Sequence, residues 1–100
     1  VTNLPKTFML NQNYPNPFNP STIISYTVPS GFSKTMVSLK IYNINGQMIK
    51  ELLHQELSAG KYLTKWDGTT QNGMPAASGI YFVRMIAGSQ QLTKKMTLLK

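Results

Sequence analysis

Apolar and polar residues alternate along most of this chain, in short runs. In Thr22–Val28, the residues Ile24, Tyr26 and Val28 share one parity, and Ser25 and Thr27 take the other. Val37, Leu39 and Ile41 alternate with Ser38 and Lys40. Tyr62, Thr64 and Trp66 alternate with Leu63 and Lys65, and Tyr81, Val83 and Met85 form one parity of the run Ile80–Ile86. Leu92, Lys94, Met96 and Leu98 share a parity in the last run, which puts Lys94 near a strand end or at a rim. A period of two is that of a strand with one buried face, so these parities are expected inside.

Turn signals separate the runs. They are Pro5, the cluster Pro15, Pro17 and Pro20, then Pro29-Ser30-Gly31, Asn45-Gly46, Ala59-Gly60, Asp67-Gly68, Asn72-Gly73, Ser78-Gly79 and Gly88-Ser89. The intervening runs are too short for typical helices and rich in β-branched and aromatic residues. Asn45-Gly46 tolerates the positive φ of a hairpin turn and leads into a strand over Met48–Leu53. Met48, Leu52 and Leu53 also suit a short helix, and Glu51, Gln55 and Glu56 are good helix formers. The turn that feeds this stretch favours the strand. Thr7–Leu10 is expected as an irregular edge segment. The pattern predicts an all-β domain, a sandwich or barrel of about seven or eight strands, over residues 7–100. Residues 1–6 read as a linker remnant.

Composition removes most chemistry. The chain has 100 residues, with 10 Lys+Arg, 3 Asp+Glu, one His and no Cys. Thiolate zinc sites and His clusters are excluded, and so is a disulfide framework. The carboxylates are Glu51, Glu56 and Asp67, too few for an EF-hand loop. A Ser-His-Asp triad would have to recruit His54 and Asp67, but His54 lies among polar neighbours and no Gly-x-Ser-x-Gly elbow is present. Catalysis is not expected, and no cofactor is implied. The first residues form no apolar signal-peptide core, and the chain does not start with Met, as in a piece of a longer precursor. No apolar run is long enough to span a membrane as a helix.

The net charge of +7 favours anionic partners. The cations are scattered, Lys94-Lys95 is the sole run, and Arg84 is the sole arginine, which argues against nucleic-acid readout. Trp66 is expected in the core, with its indole N–H needing a partner. Asp67 is expected to cap its own turn, with calcium binding by the Gly-rich loop as the rival reading. Asn13–Pro20 is the most distinctive stretch. Its prolines predict a stiff, extended loop, with Tyr14 and Phe18 as apolar pins over one end of the domain. It serves either as an edge-blocking cap or as a recognition surface.

Leu10-Asn-Gln-Asn-Tyr-Pro-Asn-Pro-Phe-Asn-Pro-Ser-Thr-Ile-Ile-Ser-Tyr26 resembles the opening of the type A C-terminal sorting domains of the type IX (Por) secretion system. Leu39-Lys-Ile-Tyr-Asn-Ile-Asn-Gly46, Ala59-Gly60, Trp66-Asp67-Gly68, Ala77-Ser-Gly-Ile-Tyr-Phe82 and Lys94-Lys-Met-Thr-Leu-Leu-Lys100 resemble its later landmarks in order. The resemblance runs from about Leu4 to Lys100, and Leu39 to Tyr81 is also similar to the Ig-like domain of flagellar hook-capping proteins. It implies an Ig-like antiparallel β-sandwich at the end of a larger secreted protein. It further implies a non-catalytic signal that takes an N-terminal cargo from the periplasm across the outer membrane of a Gram-negative bacterium. The implied partners are the outer-membrane machinery and a sortase-like peptidase, which would cut at or before Thr2–Lys6. The cargo would remain at the cell surface on anionic lipopolysaccharide or be released. The implied recognition residues are Lys94, Lys95, Met96, Leu98, Leu99 and Lys100. The signature residues are Tyr14, Pro15, Pro17, Phe18, Pro20, Gly46, Gly60, Trp66, Asp67, Gly68, Gly79 and Tyr81. The competing functions are a carbohydrate-binding or spacer module attached to a secreted hydrolase, using Trp66, Tyr62 or other exposed aromatics, and a purely structural Ig-like domain.

Overall fold

Seven strands build the domain in a computed structural model that describes residues 7–31 and 34–100. The expected linker at residues 1–6 lies outside the described residues. The strands are β1 (Met9–Leu10), β2 (Thr22–Val28), β3 (Thr35–Asn43), β4 (Met48–Leu57), β5 (Gly60–Trp66), β6 (Gly79–Ala87) and β7 (Gln90–Leu98). They form two antiparallel sheets, in the orders β1-β2-β5 and β4-β3-β6-β7. The chain crosses between sheets at β2–β3, β4–β5 and β5–β6, so neither sheet is a simple meander. This is the expected all-β, Ig-like sandwich.

The predicted inner parities are the core. Ile24, Val28, Val37, Leu39, Ile41, Trp66 and Val83 are fully buried, and Tyr26, Tyr81 and Met85 nearly so. Alternation places one face of each sheet against the other, and burial of those faces is the main stabilising term.

β4 is a strand and not a helix, and it runs four residues past the expected Leu53. Its pairing with β3 carries two register shifts. Leu39 faces Leu53 while Lys40 faces Glu51, and Ile41 faces Lys50 while Tyr42 faces Met48. Leu52 and Ile49 are thus extra residues, each a bulge that breaks the period of two. Lys94 sits in mid-strand opposite Val83, not near a strand end. It is exposed on β7, whose inner face buries Met96 and Leu98 fully and packs the partly buried Leu92 against the core.

Two strand entries share one device. Tyr62 Oη donates to Ser58 O at 2.6 Å, and Tyr81 Oη donates to Ala77 O at 2.6 Å. Each tyrosine follows a glycine two residues earlier, Gly60 (φ 155°) and Gly79 (φ 153°). The segments Ser-Ala-Gly-Lys-Tyr62 and Ala-Ser-Gly-Ile-Tyr81 are therefore one local motif used twice, the tyrosine-corner arrangement of many sandwiches.

Candidate functional site

The registers gather most of the signature at one end of the sandwich. Thr22 pairs with Trp66, Asn43 with Tyr81, and Gly79 with Leu98. The Asn43–Gln47 hairpin, which contains Gly46, closes at that end too, through a bond from Gly46 N–H to Asn43 O of 3.0 Å. Gly60 is the exception, paired with Val28 at the opposite end.

Aromatic rings fill this end. The Phe18 and Trp66 rings lie 5.5 Å apart, and Trp66 meets Tyr81 edge-on at 5.3 Å. Phe18 is 2% exposed and Trp66 is fully buried. The indole Nε1–H donates to Thr69 O at 2.9 Å, the partner a buried tryptophan needs. A stacking platform for sugars at Trp66 is thereby overturned. Tyr62 is half-buried and stacks on Tyr26 at 5.7 Å.

Behind Trp66, Asp67 caps its turn as expected. Its Oδ1 accepts from Thr69 N–H at 3.1 Å and from Thr69 Oγ1 at 2.6 Å. Those bonds, aided by the nearby Lys50, hold the carboxyl below the usual carboxylate range. Gly68 then adopts φ 78°, and a Cβ there would stand 2.6 Å from Pro20 O. Only glycine satisfies both the left-handed backbone and the close approach. The Trp-Asp-Gly landmark is therefore built against the Pro-rich segment.

The Pro-rich segment meets the last strand. Phe18 N–H donates to Thr97 O, and Leu99 N–H donates to Phe18 O, both at 3.0 Å. Asn16 Oδ1 accepts from Thr97 N–H at 3.0 Å, and Gln12 Nε2 donates to Lys95 O at 2.6 Å. These bonds occupy the outer edge of β7 from Lys95 to Leu99. The edge-blocking reading is correct for this half of the strand.

Tyr14 is a correction. Its ring is 80% exposed, so it pins nothing over the core. Only its backbone is held, through reciprocal 2.9 Å bonds with Ile23. The pin is Asn13, 2% exposed. Asn13 Nδ2 donates to Pro15 O and Thr22 Oγ1, and Thr22 Oγ1 donates to Pro15 O at 2.8 Å. This buried network draws the loop into bends at residues 15–17 and 19–20, where an extended run was expected. The peptide bonds before Pro15, Pro17 and Pro20 are cis. Gln12, Asn13 and Asn16 are the residues that pattern reading missed. Their one signal is the density of Asn beside Pro, a side chain suited to bonding local backbone.

The expected recognition residues divide. Lys94, Lys95, Leu99 and Lys100 are exposed, whereas Met96 and Leu98 are fully buried in the core. The main chain of Lys100 is held by Ser78 Oγ at 3.0 Å. His54 is exposed on β4. The ion pair among the described residues is Lys40–Glu51 at 3.9 Å.

Residues 20–91 match the FlgD Ig-like domain. The chain belongs to that family. The FlgD Ig-like match is wider than the expected Leu39–Tyr81 stretch on both sides. It takes in only Pro20 of the Asn13–Pro20 segment at one end and only Gln90 and Gln91 of β7 at the other. No curated protein sequence matches significantly. Among solved structures, the chain is similar to dimeric latent PorU of Porphyromonas gingivalis, with 22% identity and a TM-score of 0.76 over 95% of this chain and 9% of PorU. It is also similar to PorZ of the same bacterium, described as an essential surface component of the type-IX secretion system, with 22% identity and a TM-score of 0.58 over 89% and 11% of the two chains. The alkylpurine DNA glycosylase AlkC of Pseudomonas fluorescens, solved with abasic-site DNA, shares 15% identity and a TM-score of 0.56 over 93% and 30%. These likenesses, each under 25% identity, show a shared fold. The chain spans about a tenth of PorU and PorZ and under a third of AlkC.

Proposed function

We propose that this FlgD Ig-like domain is a non-catalytic C-terminal sorting signal of the type IX secretion system. In this reading it takes an upstream cargo from the periplasm across the outer membrane of a Gram-negative bacterium to the cell surface. The observation that carries the reading is the latch between Gln12–Phe18 and Lys95–Leu99. Its two halves lie outside the stretch that matches the FlgD Ig-like domain, yet they hydrogen-bond to each other. A generic spacer has no need for them. A signal that must fold as a unit and present its final residues does. The fold likeness to PorU and PorZ supports the same reading.

Recognition would fall on the exposed side chains around the latch: Tyr14, Lys94, Lys95, Leu99 and Lys100. The partners in this reading are the outer-membrane machinery and its sortase-like peptidase, with anionic lipopolysaccharide nearby and no nucleic acid. Three lysines give the surface a sign that favours an acidic partner. Met96 and Leu98 contribute by holding β7 in place.

The test is a reporter fused upstream and expressed in a type IX-competent bacterium. The fusion is expected at the cell surface. The triple variant Lys94→Glu, Lys95→Glu and Lys100→Glu leaves the core intact and is expected to strand the fusion in the periplasm. Circular dichroism of the purified variant confirms that it folds. Deletion of Met96–Lys100 is expected to strand it as well, but that cut also removes two core side chains. Equal export of the parent and the triple variant would sink the proposal.

A further inference from the structure

The sheet edges are protected unequally. β7 is latched by Gln12, Asn16 and Phe18. β4 is latched in part, because Gln71 N–H donates to Ile49 O and Gln71 Oε1 accepts from Glu51 N–H, both at 2.8 Å. β5, seven residues long, pairs with β2 alone among the described residues.

The hydrogen-bond phase identifies which β5 groups are open. Ile23 exchanges both bonds with Tyr14, so odd residues of β2 face the β1 side. Alternation then turns Ile24 and Tyr26 toward β5, and their partners Thr64 and Tyr62 toward β2. The N–H and C=O groups of Lys61, Leu63 and Lys65 are left on the outer edge. The side chains of those same residues are exposed on the outer face of the sheet, Leu63 at 73%. Beside them lies a groove of about 650 Å³ lined by Met9, Asn11, Ser25, Thr27, Lys61 and Leu63.

We infer that the β5 edge accepts an extended segment of another protein as an added strand, with acidic side chains flanking an apolar one. The outward N–H and C=O groups can exchange water for the matching groups of an added strand, which a lipid surface does not offer. Lys61 and Lys65 bracket Leu63 on one face, so an incoming Glu-x-Val-x-Glu would set carboxylates opposite both ammonium groups and Val opposite Leu63. The same lysines act against a second copy of this chain. Antiparallel pairing centred on Leu63 sets Lys61 against Lys65, and parallel pairing sets each lysine against itself. The sites of Glu51, Glu56 and Asp67 lie on β4 and past the end of β5, so no carboxylate competes from β5 itself. This edge is separate from the latch, and the inference stands apart from the sorting role.

The test titrates the 15N-labelled 100-residue chain with a capped peptide that has Glu, Val and Glu at alternate positions between threonines. Amide shifts are expected over Gly60–Trp66, with exchange protection gained at Lys61, Leu63 and Lys65. Affinity is expected to fall at least about tenfold in Lys61→Glu/Lys65→Glu, and that variant is expected to bind the Lys-for-Glu peptide instead. Leu63→Pro removes an outward N–H without touching the β2 ladder and is expected to keep the fold and lose binding. The inference is overturned by shifts that are absent or elsewhere, by equal binding of both peptides to the parent chain, or by unchanged binding in Leu63→Pro. Self-association through β5, or binding to anionic vesicles with no response to the peptide, overturns it equally.

Discussion

The edges of β7 and β5 face the same physical problem and meet it differently. An edge strand exposes unpaired backbone groups that invite pairing with other chains. At β7 the chain spends a whole segment on the problem: Phe18 is buried against Trp66, and its backbone bonds straddle Leu98. At β5 no segment is spent among the described residues. Two lysines discourage self-pairing, and the edge stays available. Protection by contact fixes a surface in one state, whereas protection by charge leaves it able to accept a complementary strand. The end of the domain that carries the signature is thus interlocked by contact, whereas the β5 edge pairs with β2 alone among the described residues.

The largest effect that would break this contrast is at Phe18. Phe18→Ala removes a buried ring and is expected to destabilise the domain by about 3–5 kcal/mol. Leu63→Ala on the open edge is expected to change stability by no more than about 0.5 kcal/mol. Urea denaturation of both variants measures the difference. Hydrogen exchange should show early loss of protection at Thr97 and Leu99 in the Phe18 variant. Comparable destabilisation by the two changes would mean that the latch is no more integral than the open edge.

Next in size is Gly68→Ala. A left-handed backbone costs a non-glycine residue about 1–2 kcal/mol, and overpacking against a neighbour adds about 1–3 kcal/mol. The neighbour here is the Pro20 carbonyl, at 2.6 Å from the added carbon. The expected loss is about 2–5 kcal/mol, in the same denaturation assay. Gly73, also at positive φ but with open space around it, isolates the backbone part. Gly73→Ala is expected to lose only the smaller share. Equal losses at the two sites would mean that Pro20 yields and the contact is not restrictive.

The strand layout was legible because burial on one face imposes a period of two, and Ile24, Val37, Trp66 and Val83 obey it. β4 was ambiguous for a stated reason: its bulges at Leu52 and Ile49 shift the apolar phase into something that resembles a helix. The aromatic pin was half right. Hydrophobicity singled out Tyr14 and Phe18 alike, but backbone pairing with Ile23 turns Tyr14 outward, and the buried pin is a polar residue, Asn13. Its burial depends on partners that folding delivers, Thr22 Oγ1 and Pro15 O. The latch itself was out of reach of pattern reading. Gln12 reaches Lys95 across 83 positions and Asn16 reaches Thr97 across 81, with no periodicity linking them. Only the family resemblance, which runs through both ends of the chain, links the two segments.

The smallest expected effect lies at the turn behind the latch and depends on pH. Asp67 has a folded-state pKa below its ordinary 3.8, chiefly through the hydrogen bond from Thr69 Oγ1. A lowered folded value means that the unfolded chain takes up the proton first as the solution is acidified. The stabilisation is therefore complete above the ordinary value and is lost as pH falls through the lowered one. Asp67→Asn keeps the shape of the cap and discards its charge. At neutral pH the parent is expected to be more stable than the variant by less than about 1 kcal/mol, since the carboxylate is exposed and screened. The gap is expected to start closing as pH falls below the ordinary 3.8 and to vanish once pH is below the lowered folded value. A gap that persists into acid would show that the cap acts through shape alone. A gap much wider at neutral pH would show that Lys50, whose Nζ donates to Thr69 Oγ1 at 3.0 Å, couples the charge of Asp67 to β4 more tightly than a solvated turn allows.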